Sequence, residues 1–327
     1  MRTIVPNVRT LILILFIFLF CSKSFSQSII SGNGKYEIGL GLGPLFFLGD
    51  LGGNYGKGTT FVKDVNLPLT KLSKGIYASV YPTEWFGLRV ALNHGQLEGY
   101  DHMINDKGGA ERFRKDRNLQ FKSSLLEAYA AIEIAPTVFI ERDDELKGKI
   151  RPYGLVGIGM FKFNPKGQYF DASGNSHWVP LQPLHLEGQG MAEYPDRKPY
   201  KLTSMEIPMG VGVKYYIKES MYVGIEVLHR KTFTDYIDDV STTYIDGNLF
   251  ERYLSPENAQ MARQLYFREN FVPNAPLSRF PANNEQRGDP TENDSFFSSI
   301  IKFGWRLNND DSPNSRAARQ LRCPSFY

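Results

Sequence analysis

The chain has 327 residues, a formal net charge of +3 and 42% hydrophobic residues, among them 23 Phe, 18 Tyr and 3 Trp. That near-neutral balance leaves no electrostatic footprint for nucleic acid, and two cysteines, Cys21 and Cys323, are too few for a disulfide framework. Beyond residue 26 no apolar run approaches the roughly 20 residues of a membrane-spanning helix, which excludes a helical membrane protein.

At the N-terminus, Arg2 and Arg9 precede the unbroken apolar run Leu11 to Phe20, which ends in Ser22-Lys23-Ser24-Phe25-Ser26. An apolar core of about ten residues is too short to span a bilayer. Residues 1–26 therefore read as a secretory signal peptide cut before Gln27. Cys21 invites a lipoprotein reading, but bulky Phe20 stands where a lipid-attachment signal calls for a small residue. Loss of residues 1–26 removes Arg2, Arg9 and Lys23 and no acid, so the +3 falls to zero. The mature chain keeps Cys323 alone, and a closed hydrogen-bonded barrel is another source of stability for an exported protein without disulfides.

Eight segments then alternate apolar and small or polar residues with the period of a strand. In chain order they are Tyr36 to Leu48, Lys74 to Tyr81, Phe86 to Asn93, Leu126 to Ile134, Arg151 to Phe163, Glu206 to Tyr215, Met221 to Arg230 and Phe296 to Leu307. The pattern is clearest in the third, where Phe86, Leu88, Val90 and Leu92 oppose Gly87, Arg89, Ala91 and Asn93. In a soluble sandwich the apolar face fills a core; in a membrane barrel it meets lipid and the polar face lines the lumen.

Three features favour the barrel. The connections alternate in length: long ones run from about Gly49 to Ser73, Leu97 to Lys122, Asn164 to Lys201 and Thr234 to Asp294, while Pro82-Thr83-Glu84 and Lys218-Glu219-Ser220 are tight turns. Of the connections expected to be short, only Pro136 to Lys149 exceeds a turn. That parity is the one an outer-membrane barrel with both termini in the periplasm requires. The polar face carries Arg89, Glu127, Glu133, Glu206, Lys214, Glu226, Arg230, Lys302 and Arg306, and since burial of unpaired charge is prohibitive, these are expected to pair across a lumen just wide enough for side chains. Tyr81, Trp85 and Phe86 cluster at one tight turn and Tyr215, Tyr216 and Tyr222 at another, as in an interfacial girdle.

The expected fold is thus an all-β, eight-stranded antiparallel transmembrane barrel over residues 27–307 with long extracellular loops. One short helix is expected in the last loop, where Ser255-Pro256-Glu257 supplies an N-cap, a first-turn proline and an early acid, running to about Phe267. Phe271 to Asn293 is expected to be irregular. Residues 308–327, with Arg316, Arg319 and Arg322 before Cys323-Pro324, form a polar periplasmic tail.

No enzymatic constellation emerges, and no cofactor or small-molecule substrate is expected. His94, His102, His177, His185 and His229 are scattered without metal-ligand spacing. Gly39, Gly41 and Gly43 lie on a strand and open no helix, so they are expected to be small lumen-facing residues and not a dinucleotide loop. The pairs Asp143-Asp144 and Asp238-Asp239 lack the spacing of a calcium loop and are expected to be solvated.

The stretch Arg230 to Tyr244, with Phe233-Thr234-Asp235-Tyr236-Ile237-Asp238-Asp239-Val240-Ser241 at its centre, resembles the most distinctive signature of the PorG family of Bacteroidetes. Gly49-Asp50-Leu51, Arg151-Pro152-Tyr153-Gly154, Phe163-Asn164-Pro165 and the ending Cys323-Pro324 add to the resemblance, which covers most of the mature chain; the long seventh connection departs from it. It implies an outer-membrane component of the type IX secretion system that touches membrane lipid and anchors a periplasmic ring of a PorK-like lipoprotein and a PorN-like protein. Contacts with such a ring are expected from the fourth connection, through Glu141, Arg142, Asp143 and Asp144, and from the tail, through Arg316, Arg319 and Cys323. The competing readings are a general small barrel that binds a surface ligand or supports membrane integrity, and a lipid-modifying barrel enzyme.

Overall fold

The computed structural model describes residues 35–51, 70–83, 85–103, 114, 115, 117–136, 149–218, 220–268 and 281–307. Their strands are β1 (Lys35–Leu48), β2 (Lys71–Tyr81), β3 (Phe86–Tyr100), β4 (Gln120–Ile134), β5 (Ile150–Lys162), β6 (Pro165–Phe170), β7 (Ser176–Pro180), β8 (Thr203–Lys218), β9 (Met221–Thr232) and β10 (Ser295–Arg306). Eight of them pair antiparallel in the order β3-β2-β1-β10-β9-β8-β5-β4, and β3 pairs with β4, so the sheet closes on itself. Closure satisfies the ladder of every barrel strand and removes the open edges that no bilayer tolerates.

The register fixes the tilt. From Leu40 the paired residues run one way through Ile76, Leu92, Ala128 and Met160 to Met205, and the other way through Phe303 and Val223 to Tyr215. The two routes reach β8 ten residues apart, a stagger that tilts eight strands by about 40° from the barrel axis. At 11 to 16 residues each, the barrel strands meet or exceed the roughly 9–11 residues needed to cross a bilayer.

The two short connections, the start of β1 and the end of β10 share one end of the barrel. Lys35 pairs with Tyr81 beside the first short connection, and Arg306 N–H donates to Ser220 O at 2.8 Å beside the last. At the other end lie the long connections. The third of these, expected to be a loop, contains the β6–β7 hairpin, with β6 pairing to β4 just beyond the end of β5. Its turn, Asp171 to Asn175, is held by Ser173 and Asn175 N–H donating to Asp171 Oδ1 and by Gly174 at φ +81°, a hairpin signal that was present in the sequence. The fourth contains α1 (Leu249–Tyr253) and α2 (Pro256–Tyr266). Ser255 Oγ accepts Asn258 N–H at 3.3 Å as the N-cap of α2, and Ala259, Ala262, Leu265 and Tyr266 form its buried face.

Glycines let lumen side chains and strands approach. A Cβ on Gly39 would collide with the Tyr77 hydroxyl, and one on Gly157 with the Ala130 carbonyl oxygen. Backbone cannot yield as a flexible side chain does. Gly157→Val is therefore expected to destabilise the barrel by about 1–3 kcal/mol, read as a lower urea midpoint for folding into lipid vesicles.

Candidate functional site

The barrel turns its apolar residues outward. Leu40, Ile76, Val90, Ile158, Val211 and Ile225 are all exposed, with Val211 at 66%, and the register sets such residues side by side around the ring. A closed sheet with such an apolar outer belt is stable in hydrocarbon and would aggregate in water. Trp85, Tyr215 and Trp305 stand outward near the short-turn end, where ring edges meet headgroups. Tyr81, Tyr216 and Tyr222, expected in the same girdle, are instead buried in the lumen. Their parity explains the correction: Tyr216 shares a face with Lys214, and Tyr215 does not.

The lumen is packed with paired charges at three levels. Nearest the short turns, Lys214 Nζ donates to Glu37 Oε2 at 3.1 Å and Glu133 Oε1 at 2.6 Å. Arg306 and Tyr216 also donate to Glu37, and Tyr81 Oη donates to Glu133 at 2.7 Å. At mid-height, Arg89 bridges Glu133 and Glu226, while Lys302 at 3.1 Å and the Tyr153 hydroxyl also reach Glu226. Higher still, Arg230 holds Glu127 with two parallel bonds of 2.8 and 3.0 Å, and Asn93 donates to the same carboxylate at 2.9 Å. The lumen charges singled out from the sequence thus fall into two groups, Arg89, Glu133, Lys214, Glu226, Lys302 and Arg306 in one and Glu127 and Arg230 in the other; Glu206, expected to pair as well, is buried and forms no ion pair among the described residues. Aromatic faces fill the gaps, with Lys302 Nζ lying 3.8 Å from the Tyr77 ring centre. Lys214 with Glu37 and Glu133, Arg89 with Glu226, and Arg230 with Glu127 join strands that are not neighbours, so these pairs brace the cross-section as well as neutralising it, while Arg89–Glu133, Lys302–Glu226 and Arg306–Glu37 join adjacent strands.

The long-loop end is covered by a cap with its own core. Leu184, Leu186, Ile237, Val240, Phe250 and Leu265 from the third and fourth long connections are buried in one cluster with Leu45, Phe121, Phe161 and Phe296 from the strand ends. Glu187, fully buried, ties the two connections together. It accepts Ser241 N–H at 2.9 Å, Thr242 N–H at 3.0 Å, the Thr242 hydroxyl at 2.8 Å, the Tyr236 hydroxyl at 3.3 Å and Arg287 Nη1 at 2.7 Å. Arg117 fastens the second connection: its Nε donates to Asp101 Oδ2 at 2.7 Å, and its Nη atoms donate to the carbonyls of Arg287 and Asp50. Sequence reading passed over Glu187, Arg117 and Arg287, because each partner set lies in a different connection and leaves no local pattern.

The signature strings at residues 49–51 and 235–241 fall inside this cap. Phe233 points outward, but Ile237, Asp238, Asp239 and Val240 are buried, which corrects the expectation that Asp238-Asp239 is a solvated pair. Tyr236 stacks on Tyr200 with centroids 4.6 Å apart, and the Tyr200 hydroxyl donates to Asp239 Oδ1 at 2.6 Å. Two strings distant in sequence meet here: Leu51 N–H donates to Asp238 Oδ2 at 2.9 Å. Tyr153 of the third string is the lumen donor to Glu226, and Asn164 N–H of the fourth donates to Ser123 Oγ at 3.0 Å where the chain leaves the barrel. Burial pushes Asp239 up to about 7 against the pull of Arg287. Burial likewise lifts Asp235 to about 8, and raises Asp50, Asp238 and Asp294, with neighbouring carboxylates adding to each. Residues Glu141, Arg142, Asp143, Asp144, Arg316, Arg319 and Cys323, and the segment 1–26, lie outside the described residues.

A closed eight-stranded ring with a lipid-facing apolar belt, an ion-paired interior and long loops at one end defines an integral β-barrel of the outer-membrane type. No protein-family model and no curated protein matches the sequence. Among solved structures, the chain is similar to OprG of Pseudomonas aeruginosa and to a major outer membrane protein of Thermus thermophilus, each at 11% identity and TM-score 0.36 over 84% of this chain and 97% and 99% of theirs. It is also similar to Ail, the attachment invasion locus protein of Yersinia pestis, at 8% identity and TM-score 0.32 over 84% of this chain and 97% of that one. The assignment to this class rests on the chain's own register and surface.

Proposed function

We propose that the protein is a non-catalytic, structural outer-membrane component of a type IX protein secretion system, anchoring a periplasmic lipoprotein ring to the membrane. The observation that carries the reading is the filled lumen. Ion pairs brace the barrel at three levels, and a packed cap covers one mouth. Such a barrel suits anchoring and not the passage of folded cargo. The sequence resemblance to the PorG family supplies the particular machine; the strings at residues 49–51 and 235–241 that carry it are buried and bonded to each other.

In this reading the long connections face outward, and the short turns and both termini face the periplasm. The parts offered to a PorK-like lipoprotein and a PorN-like protein are then the fourth connection, with Glu141, Arg142, Asp143 and Asp144, and the tail, with Arg316, Arg319 and Cys323. Deleting residues 308–327 is expected to reduce recovery of ring proteins with the detergent-solubilised chain by at least tenfold, and deleting the gene to abolish cargo secretion. An intact ring recovered with the truncated chain would remove the tail from the interface. Normal secretion in the absence of the protein, with altered adhesion or permeability, would instead point to a general outer-membrane barrel whose cap meets surface ligands.

A further inference from the structure

We propose that the outer wall of β1, β2 and β3 holds one membrane lipid with an anionic phosphate headgroup, its acyl chain lying in an apolar cleft and its phosphate on Lys74 and His94. The cleft follows from one small side chain. Ala78 faces outward on β2, and its register partners on the two neighbouring strands are the larger Ile38 and Val90. Ile76 and Leu92 wall the hollow toward the cap and Trp305 toward the short-turn end, and the cleft has a volume of about 580 Å³. All of these walls belong to the lipid-facing belt. A hollow beside hydrocarbon forfeits dispersion contacts, so a flexible chain seated in it regains them on several sides at once.

Charge at the cap end of the cleft distinguishes one lipid from the rest. Lys74 and His94 are direct register partners, both exposed on the outward face, each two residues capward of a cleft wall, Ile76 or Leu92. Among the described residues neither has an ion-pair partner, whereas Lys71 and Lys122, farther capward, share the buried Glu98 at 3.1 and 3.5 Å. A lysine at this depth lays its methylenes along the apolar wall and carries its ammonium to headgroup level. There an anionic phosphate supplies the partner that the protein does not, and the His94 ring beside it offers a second donor. The cleft alone would take any chain, and the polar pair alone any anion. Together they select an anionic phospholipid.

The inference needs only the outer wall, so its failure leaves the anchoring reading untouched. It is tested by native mass spectrometry of the protein folded in detergent and titrated with dioleoylphosphatidylglycerol or dioleoylphosphatidylcholine, which share their chains and differ in headgroup charge. One phosphatidylglycerol per chain is expected to stay bound, about fivefold more tightly than phosphatidylcholine, which is the weight of one lysine at an anionic surface. Ala78→Phe fills the cleft and is expected to weaken both lipids at least tenfold; should that variant fail to reach the folded gel mobility, Ala78→Leu makes the same test. Lys74→Ser is expected to equalise the two lipids and leave phosphatidylcholine binding as it was. Lys231→Ser, at an exposed position on β9 away from the cleft, is expected to keep the preference intact. Equal affinity for the two lipids in the parent, or a preference that survives Lys74→Ser or falls as much with Lys231→Ser, would overturn the headgroup site. Binding unchanged in the Ala78 variant that folds would overturn the cleft.

Discussion

Glu226→Ala is expected to lower the stability of the folded barrel by about 3–5 kcal/mol, the usual cost of breaking a buried ion pair from one side. Glu226 serves Arg89, Lys302 and the Tyr153 hydroxyl at once, and all four side chains are buried. Arg89 keeps Glu133 when Glu226 is removed, but Lys302 loses its ion pair and keeps the ring faces of Tyr77 and Tyr153. The ammonium must then recruit water into a packed interior, open the strands around it or give up its proton. The apolar double variant, Glu226→Leu with Lys302→Met, removes both charges together and is expected to recover at least about 1–2 kcal/mol of the loss. Urea titration in lipid vesicles, followed by tryptophan fluorescence, reads both values. A single variant as stable as the parent would mean that the lumen is wet enough to solvate lone charges, and the picture of a packed interior would fail.

The barrel was legible in the sequence because a two-residue period survives wherever one face meets lipid and the other meets the lumen. Leu88, Val90 and Leu92 against Arg89, Ala91 and Asn93 announce β3 without any tertiary knowledge. The pattern fades where that asymmetry ends. β3 runs on to Tyr100, and Leu97, Glu98 and Gly99 are buried in succession, because beyond the membrane the cap covers both faces of the strand. The same loss hid the cap. Its charged centre joins Glu187 to residues 236–242 and to Arg287, about 50 and 100 positions away, a spacing that no window of local sequence contains. Charge without burial is also ambiguous: Asp238-Asp239 has the composition of a solvated turn, and only the fold places both carboxylates in the dry centre of the cap. The girdle tyrosines were readable in principle, since parity puts Tyr81 on the same face as Tyr77 and Ser79.

Glu187→Ala is expected to loosen the cap while sparing the barrel. Its carboxylate takes two backbone N–H groups, two hydroxyls and a guanidinium from three stretches of the fourth long connection. Truncation strands the buried N–H groups of Ser241 and Thr242, at about 1–3 kcal/mol each. It also leaves Arg287, 2% exposed, with Asp239 as its remaining carboxylate at 3.6 Å. The combined loss is expected to be about 3–5 kcal/mol. Glu187→Gln tests whether charge or shape matters: the amide keeps one acceptor but turns an NH2 toward a site made of donors, so it is expected to recover less than half of the loss. Hydrogen exchange locates the effect. Protection should fall at residues 181–191 and 236–242 and persist in β1 through β5, whose ladders do not involve Glu187. Equal loss of protection in the strands would mean that cap and barrel unfold as one unit. The shared cluster of Leu45, Phe121, Phe161 and Phe296 at the rim, and not the carboxylate beneath Arg287, would then be what holds the cap in place.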